Sequence, residues 1–238
     1  MKRLQDATTV QSPHPLRAEE CHALVHIPAI DKSPLFATTM RSVRRSLSHE
    51  SFTRLVVALV LARLDYCNGV LVGLAASQLS RLQSVLHAAA RLIYGVRRFD
   101  HVTPLLQQLH WLSVPERVTF KLCVMVYRCL HGIGPEYLSE DFKLVSEIQS
   151  RQRLPSASST DVLVPATRRS SLGDRAFPVA GARAWNALPP SATSAPSLSS
   201  FLRLLKTFFS SDNGVNNTNY CVVVLLSTQH HVNLGELN

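Results

Sequence analysis

The side chains that could do chemistry in this chain are its carboxylates, thiols, imidazoles and guanidinium groups, and only the last fall in a suggestive pattern. Two-metal phosphoryl transfer needs two or three carboxylates converging on Mg²⁺. The chain has no Asp-Asp pair. Its adjacent acids are Glu19-Glu20, in a stretch without apolar period, and Glu140-Asp141, just past a helix pattern. Both suit solvated surface better than a metal centre. For zinc, the nearest approaches are Cys21-His22 with His26, and Cys123 with Cys129 and His131. Neither has the doubled Cys-x-x-Cys spacing of a closed tetrahedral site. Cys123 falls on the apolar face of its helix and suits a small buried hydrophobe. His230-His231 is a weak metal lure in a polar tail. No Gly-x-Ser-x-Gly elbow occurs, and Gly132-Ile133-Gly134 lacks the Lys-Ser/Thr of a phosphate loop. Metal ligands, a cofactor, a small-molecule substrate and catalysis by this chain are therefore not expected.

The charged residues point elsewhere. Formal charge is +9 and the pI near 9.8, a balance that permits contact with phosphate backbones. Residues 151–210 carry eight Lys/Arg against two Asp/Glu, a net of +6, while 79–150 are nearly balanced at +2. An apolar fraction of 46% suits a globular chain. Five cysteines, odd in number and far apart, argue against a disulfide framework and suit a reducing compartment. The first twenty residues hold no apolar run of a secretory signal, and the apolar stretch Leu55–Leu64 is flanked and broken by Arg54, Arg63 and Asp65. We expect an intracellular protein without membrane contact, with nuclear and cytoplasmic residence both open.

Periodicity supplies the elements that would position these groups. Prolines at 13, 15, 28 and 34 make 1–38 irregular. A helix is expected over about 39–73, with Leu55, Val56, Leu59, Val60, Leu61 and Leu64 on a broad apolar face. Ser77 is the expected N-cap of a second helix over 78–94, stopped by Gly95. Thr103-Pro104 opens a third, and Pro115 a fourth that runs to about His131 and closes at Gly132 and Gly134. The fold class expected is mainly α: a helical bundle over 39–145, a Ser-rich linker over 146–160, a basic segment over 161–210 and a loose tail over 211–238. Within the basic segment, 161–167 and 171–177 are expected to pair as a hairpin about Arg168-Arg169. Ala180–Leu188 is expected to be helical, and Ser197 to cap a last helix carrying Leu198, Phe201, Leu204, Leu205 and Phe208. Trp111 and Trp185 sit inside apolar motifs and are expected in the core. Asp65 is expected to be a buried acid paired with Arg63, Arg91 or Arg117, as a structural lock.

Several motifs occur in a fixed order: RLDYCN at 63–68, RLQSVLHAAARLIYG at 81–95, DHVTPLLQQLHWLSVPERVTFK at 100–121, YRCLHGIGPEYL at 127–138 and GDRAFPVAGARAWNALP at 173–189. Together they resemble the segment that follows the polymerase core in LINE-type (non-LTR) retrotransposon reverse transcriptases. YRCLHGIGPEYL is similar to that family's Tyr-Lys-x-Leu-His-Gly-x-x-Pro-x-Tyr-Leu pattern, with Arg128 where Lys is common. The resemblance spans about 39–209. It implies a thumb-like bundle that holds an RNA–DNA hybrid or other nucleic acid by its backbone. The paired-aspartate box of such polymerases is absent, and 1–35 do not resemble the palm. A truncated, non-catalytic C-terminal part of an RNA-directed DNA polymerase is thus expected. Phosphate contacts position without reading sequence. Candidates for them are Arg41, Arg44, Arg45, Arg81, Arg91, Arg97 and Arg98, with Arg168, Arg169 and Arg175 in the later segment; each is otherwise an ordinary solvated arginine. The alternatives are a helical protein-interaction module, as a domesticated relic, and a relic reading frame without selected function.

Overall fold

The computed structural model describes residues 34–66, 68–147, 160–168 and 173–211, and these are mainly helical. The irregular start up to residue 33, most of the Ser-rich linker, Arg169, the tail beyond 211, and Cys21, Cys67 and Cys221 lie outside them.

The first helix, α1 (Pro34–Ser46), begins before the expected border at 38/39. Pro34 counted as a breaker in the sequence, yet proline is well suited to a first helical turn. The single helix expected over 39–73 is broken. Ser48 leaves helical geometry and its side chain accepts from the Ser51 N–H at 3.2 Å, starting α2 (His49–Val56). A π turn (Val57–Leu61) then leads into α3 (Ala62–Asp65). The wider turn rotates the apolar stripe, so that Val56, Val60, Leu61 and Leu64 are all buried.

The longest helix, α4 (Ala76–Tyr94), has its N-cap at Ala75, two residues before the expected Ser77, with no side-chain cap; Ser77 lies inside the first turn. The Ala75 carbonyl accepts from the Gln78 and Leu79 N–H groups, which does part of the capping. Gly95 ends α4 in the left-handed region (φ 68°), and its N–H returns to Arg91 O at 2.8 Å. A Cβ at Gly95 would collide with the Arg44 guanidinium. Gly95→Ala is expected to cost about 1–2 kcal/mol from the left-handed backbone alone, read as a lower denaturation midpoint with an unchanged slope.

Helix α5 (Thr103–Leu109) carries proline in its first turn, as expected. Helix α6 (Val114–Leu130) opens on a capping box: the Ser113 side chain takes the Glu116 N–H, and Glu116 Oε2 accepts from the Ser113 N–H at 2.9 Å. Gln83 of α4 reinforces this start by accepting from the Val114 N–H at 2.8 Å. Gly132, in the left-handed region, closes α6. A short turn, α7 (Glu136–Ser139), follows.

Hairpin pairing of 161–167 with 171–177 is not what the described residues form. Instead Leu144 and Val162 make an isolated antiparallel bridge, with Val145 N–H to Asp161 O and Leu163 N–H to Lys143 O, both at 2.9 Å. Phe177 already begins α8 (Phe177–Asn186). The reason lies in Asn186, whose carboxamide grips both backbone groups of Val162: Val162 N–H donates to Oδ1 and Nδ2 donates to Val162 O, each at 2.9 Å. Helices α9 (Pro190–Thr193) and α10 (Leu198–Ser211) complete the described chain. Ser197 does cap α10, accepting from the Ser200 N–H at 3.3 Å.

Two apolar cores share α6. Val114, Val118 and Leu122 join α1, α2, α4 and α5 in the first. Phe120, Cys123, Val124, Val126, Tyr127 and Cys129 join Phe142, Val162, α8, α9 and α10 in the second. With apolar residues buried into both cores, α6 ties the basic late segment to the earlier bundle.

Candidate nucleic-acid interface

The ten arginines singled out in the sequence separate into two kinds. Arg91 and Arg175 donate to backbone carbonyls, and Arg44 packs on Gly95. The Arg44 guanidinium lies over Gly95, at the C-terminal end of α4, where the helix carbonyls favour a cation. Arg91 donates from Nη2 and Nε to Asp100 O at 3.2 and 3.4 Å, holding the loop that follows α4. Arg175 donates from Nε to Val72 O at 2.9 Å and packs its stem on Gly73, whose left-handed φ is 67°. Arg41, Arg45, Arg81, Arg97, Arg98 and Arg168 are exposed. The ion pairs among the described residues are Arg54–Glu50, Arg117–Asp65 and Arg183–Asp174, and none uses a candidate arginine. Arg169 lies outside the described residues.

These arginines also divide in space. The Arg44–Gly95 contact brings α1 to the C-terminal end of α4; Arg41 and Arg45 lie within a turn of Arg44 on α1, and Arg97 and Arg98 follow Gly95 in the chain. The Arg175–Val72 bond places Arg175 just before the other end of α4, where Arg81 lies. At 1.5 Å rise per residue α4 is about 28 Å long, and Arg81, on its second turn, lies about 21 Å from the Gly95 end. Arg41, Arg45, Arg97 and Arg98 fall on the side of Gly95, and Arg81 and Arg175 on the side of Val72.

The loop 95–102 is well fixed. The Arg97 N–H donates to Asp100 Oδ2 at 2.7 Å and the Asp100 N–H to Arg97 O at 3.2 Å, closing a tight turn. On that turn Phe99 is 93% exposed. Sequence reasoning passed over Phe99, although Arg-Arg-Phe-Asp between a glycine helix stop and a Thr-Pro helix start was a visible signal for an aromatic on a turn. It also passed over Asn186.

The expected buried pair is present. Asp65 pairs with Arg117, through Nε to Oδ1 at 2.9 Å and through Nη2 to Oδ2, and both side chains are almost fully enclosed, at 5% and 4% exposure. Asn68 Nδ2 adds a bond to Asp65 Oδ1 at 2.9 Å, and Lys121 Nζ reaches Asp65 O at 3.4 Å. Trp111 and Trp185 are in the core, as expected. Cys123 is buried beside the Ala184 carbonyl, and burial pushes its thiol up to about 12. Burial raises Tyr127 and Cys129 in the same direction. These groups stay protonated in the fold and ionise earlier in the unfolded chain. The stability that Cys123 contributes is therefore full below about pH 9 and falls as pH rises from there towards 12. Denaturant midpoints at pH 8 and pH 10 should show the fall, and Cys123 should resist alkylation at pH 8 until the protein unfolds.

Among the described residues no three His, Cys, Asp or Glu side chains gather as a metal site, and no helix is long and apolar enough to cross a membrane. Comparison of the chain with known protein families, with characterised proteins and with solved structures finds no match.

Proposed function

We propose that this chain is a non-catalytic, thumb-like part of a LINE-type RNA-directed DNA polymerase, and that it grips nucleic acid by its phosphate backbone without reading sequence. The observation that carries this reading is the set of exposed arginines Arg41, Arg45, Arg97 and Arg98 around the C-terminal end of α4, outside the ion pairs of the described residues. The ordered motifs shared with that family support it. The contact between RLDYCN and PERVTFK through Asp65 and Arg117 gives two of those motifs a common structural purpose. Exposed arginines on a helical scaffold suit a duplex backbone, since phosphate contacts need position more than pattern.

Binding of the full chain to an RNA–DNA hybrid, measured across a range of salt, tests the proposal. Affinity is expected to fall steeply and linearly on a log–log plot. Arg97→Ala with Arg98→Ala should lower the slope by about one for each phosphate no longer neutralised. A folded protein that binds no hybrid at low salt overturns the proposal. The apolar surface around α7, where Ile133 is 52% and Tyr137 is 72% exposed, would then favour a protein-interaction module.

A further inference from the structure

We propose that Phe99 is a stacking platform for an unpaired nucleobase, placed beside the arginines that hold the backbone. The inference rests on the nucleic-acid reading above and adds a ligand feature to it: a single-stranded stretch next to a duplex.

An exposed apolar side chain is by itself ordinary. Three observations set this one apart. Phe99 is 93% exposed, well above Tyr137, the next large hydrophobic among the described residues, at 72%. It stands on a turn held by the Arg97 N–H bond to Asp100 Oδ2 at 2.7 Å, by the returning Asp100 N–H and by the Arg91 guanidinium on Asp100 O. The ring is thus presented on an ordered support, and little conformational freedom is lost when something covers it. Finally, Arg97 and Arg98 immediately precede it and both are exposed. A flat apolar face flanked by cations matches a base attached to phosphates: the ring takes the base's π-face and the guanidinium groups take the flanking charge. A purely apolar protein partner would leave the arginines desolvated without anions, and a cationic peptide would be repelled by them.

The test compares three variants of the full chain, Phe99→Ala, Phe99→Trp and Arg97→Ala with Arg98→Ala, on two ligands: a blunt RNA–DNA hybrid and the same hybrid with a single-stranded overhang. Phe99→Ala is expected to fold and melt like the parent, because so exposed a ring contributes little packing. It should bind the overhang ligand about tenfold more weakly or worse, with the salt slope unchanged and little loss on the blunt hybrid. Phe99→Trp should retain affinity, and its added fluorescence should be quenched by the overhang. The double arginine variant should weaken both ligands and lower the slope. If Phe99→Ala binds the overhang ligand as the parent does while the arginine variant loses affinity, the stacking role is overturned and the backbone reading survives. If the parent binds neither ligand, both fall.

Discussion

Arg117→Met is expected to destabilise the protein by about 3–5 kcal/mol, the cost of leaving a buried carboxylate without its partner. Arg117 and Asp65 are 52 residues apart in the chain, and their side chains are almost fully enclosed. Removing the guanidinium strips Asp65 of its bidentate partner and leaves only the Asn68 amide on its carboxylate. Leu64, Leu71, Val114 and Val118 belong to the same buried core and offer the carboxylate no donor, while the Lys121 ammonium reaches the Asp65 main-chain oxygen at 3.4 Å. Asp65→Leu should cost a similar amount, since it strands the arginine instead. The informative comparison is the double variant, Asp65→Leu with Arg117→Met. Exchanging a whole buried pair for apolar side chains of similar volume is often neutral, so the double variant should recover most of the loss. Denaturant midpoints of the four proteins complete the cycle. Additive losses in the double variant would mean that the two side chains do not act as a pair.

Trp185→Ala is expected to cost about 3–5 kcal/mol, the usual range for deleting a buried aromatic. Trp185 is 1% exposed. Its ring lies 5.7 Å from Phe201 and 6.4 Å from Tyr127, in a cluster where Tyr127 also stacks on Phe201 at 4.4 Å. Its indole N–H donates to Thr160 O at 2.9 Å, while the neighbouring Asn186 holds Val162. One dipeptide thus fills the second core and fastens the extended segment that returns after residue 159. Trp185→Phe separates the two roles. It keeps most of the ring volume and strands one carbonyl, so about 1–3 kcal/mol should be lost. Asn186→Ala should leave the aromatic cluster intact and loosen the Val162 amide, seen as faster hydrogen exchange there. If Trp185→Phe proved as damaging as Trp185→Ala, the hydrogen bond would outweigh the packing.

How much of this was legible in the sequence depended on whether the cause was local. Gly95, Pro104, Pro115 and Ser197 act within a turn of themselves, and the helix ends they imply are found. Trp111, Trp185 and Cys123 announced their burial by their apolar neighbours. Asp65 announced its pairing, because an acid in an apolar helix must find a cation, but three arginines were eligible and only the packing of α6 selects Arg117. The break at Ser48 and the π turn escaped notice, because an apolar stripe drawn at one period averages over a local change of pitch. The expected hairpin failed for a longer-range reason. Val162 suits a strand, yet its partners are Leu144 and the Asn186 carboxamide, neither of which is a neighbour in sequence. The candidate interface was legible as a set of arginines. Which of them spend their donors on Asp100 O or Val72 O depends on tertiary packing.

The most direct measurement is arginine-selective chemical modification of the full chain, with and without an RNA–DNA hybrid, read residue by residue by mass spectrometry. Arg41, Arg45, Arg97 and Arg98 should react readily in the free protein and become protected by the hybrid at low salt. That protection should be lost as salt rises, while Arg117 stays unreactive throughout. Equal modification of Arg41, Arg45, Arg97 and Arg98 with and without the hybrid would contradict a backbone grip at this end of α4.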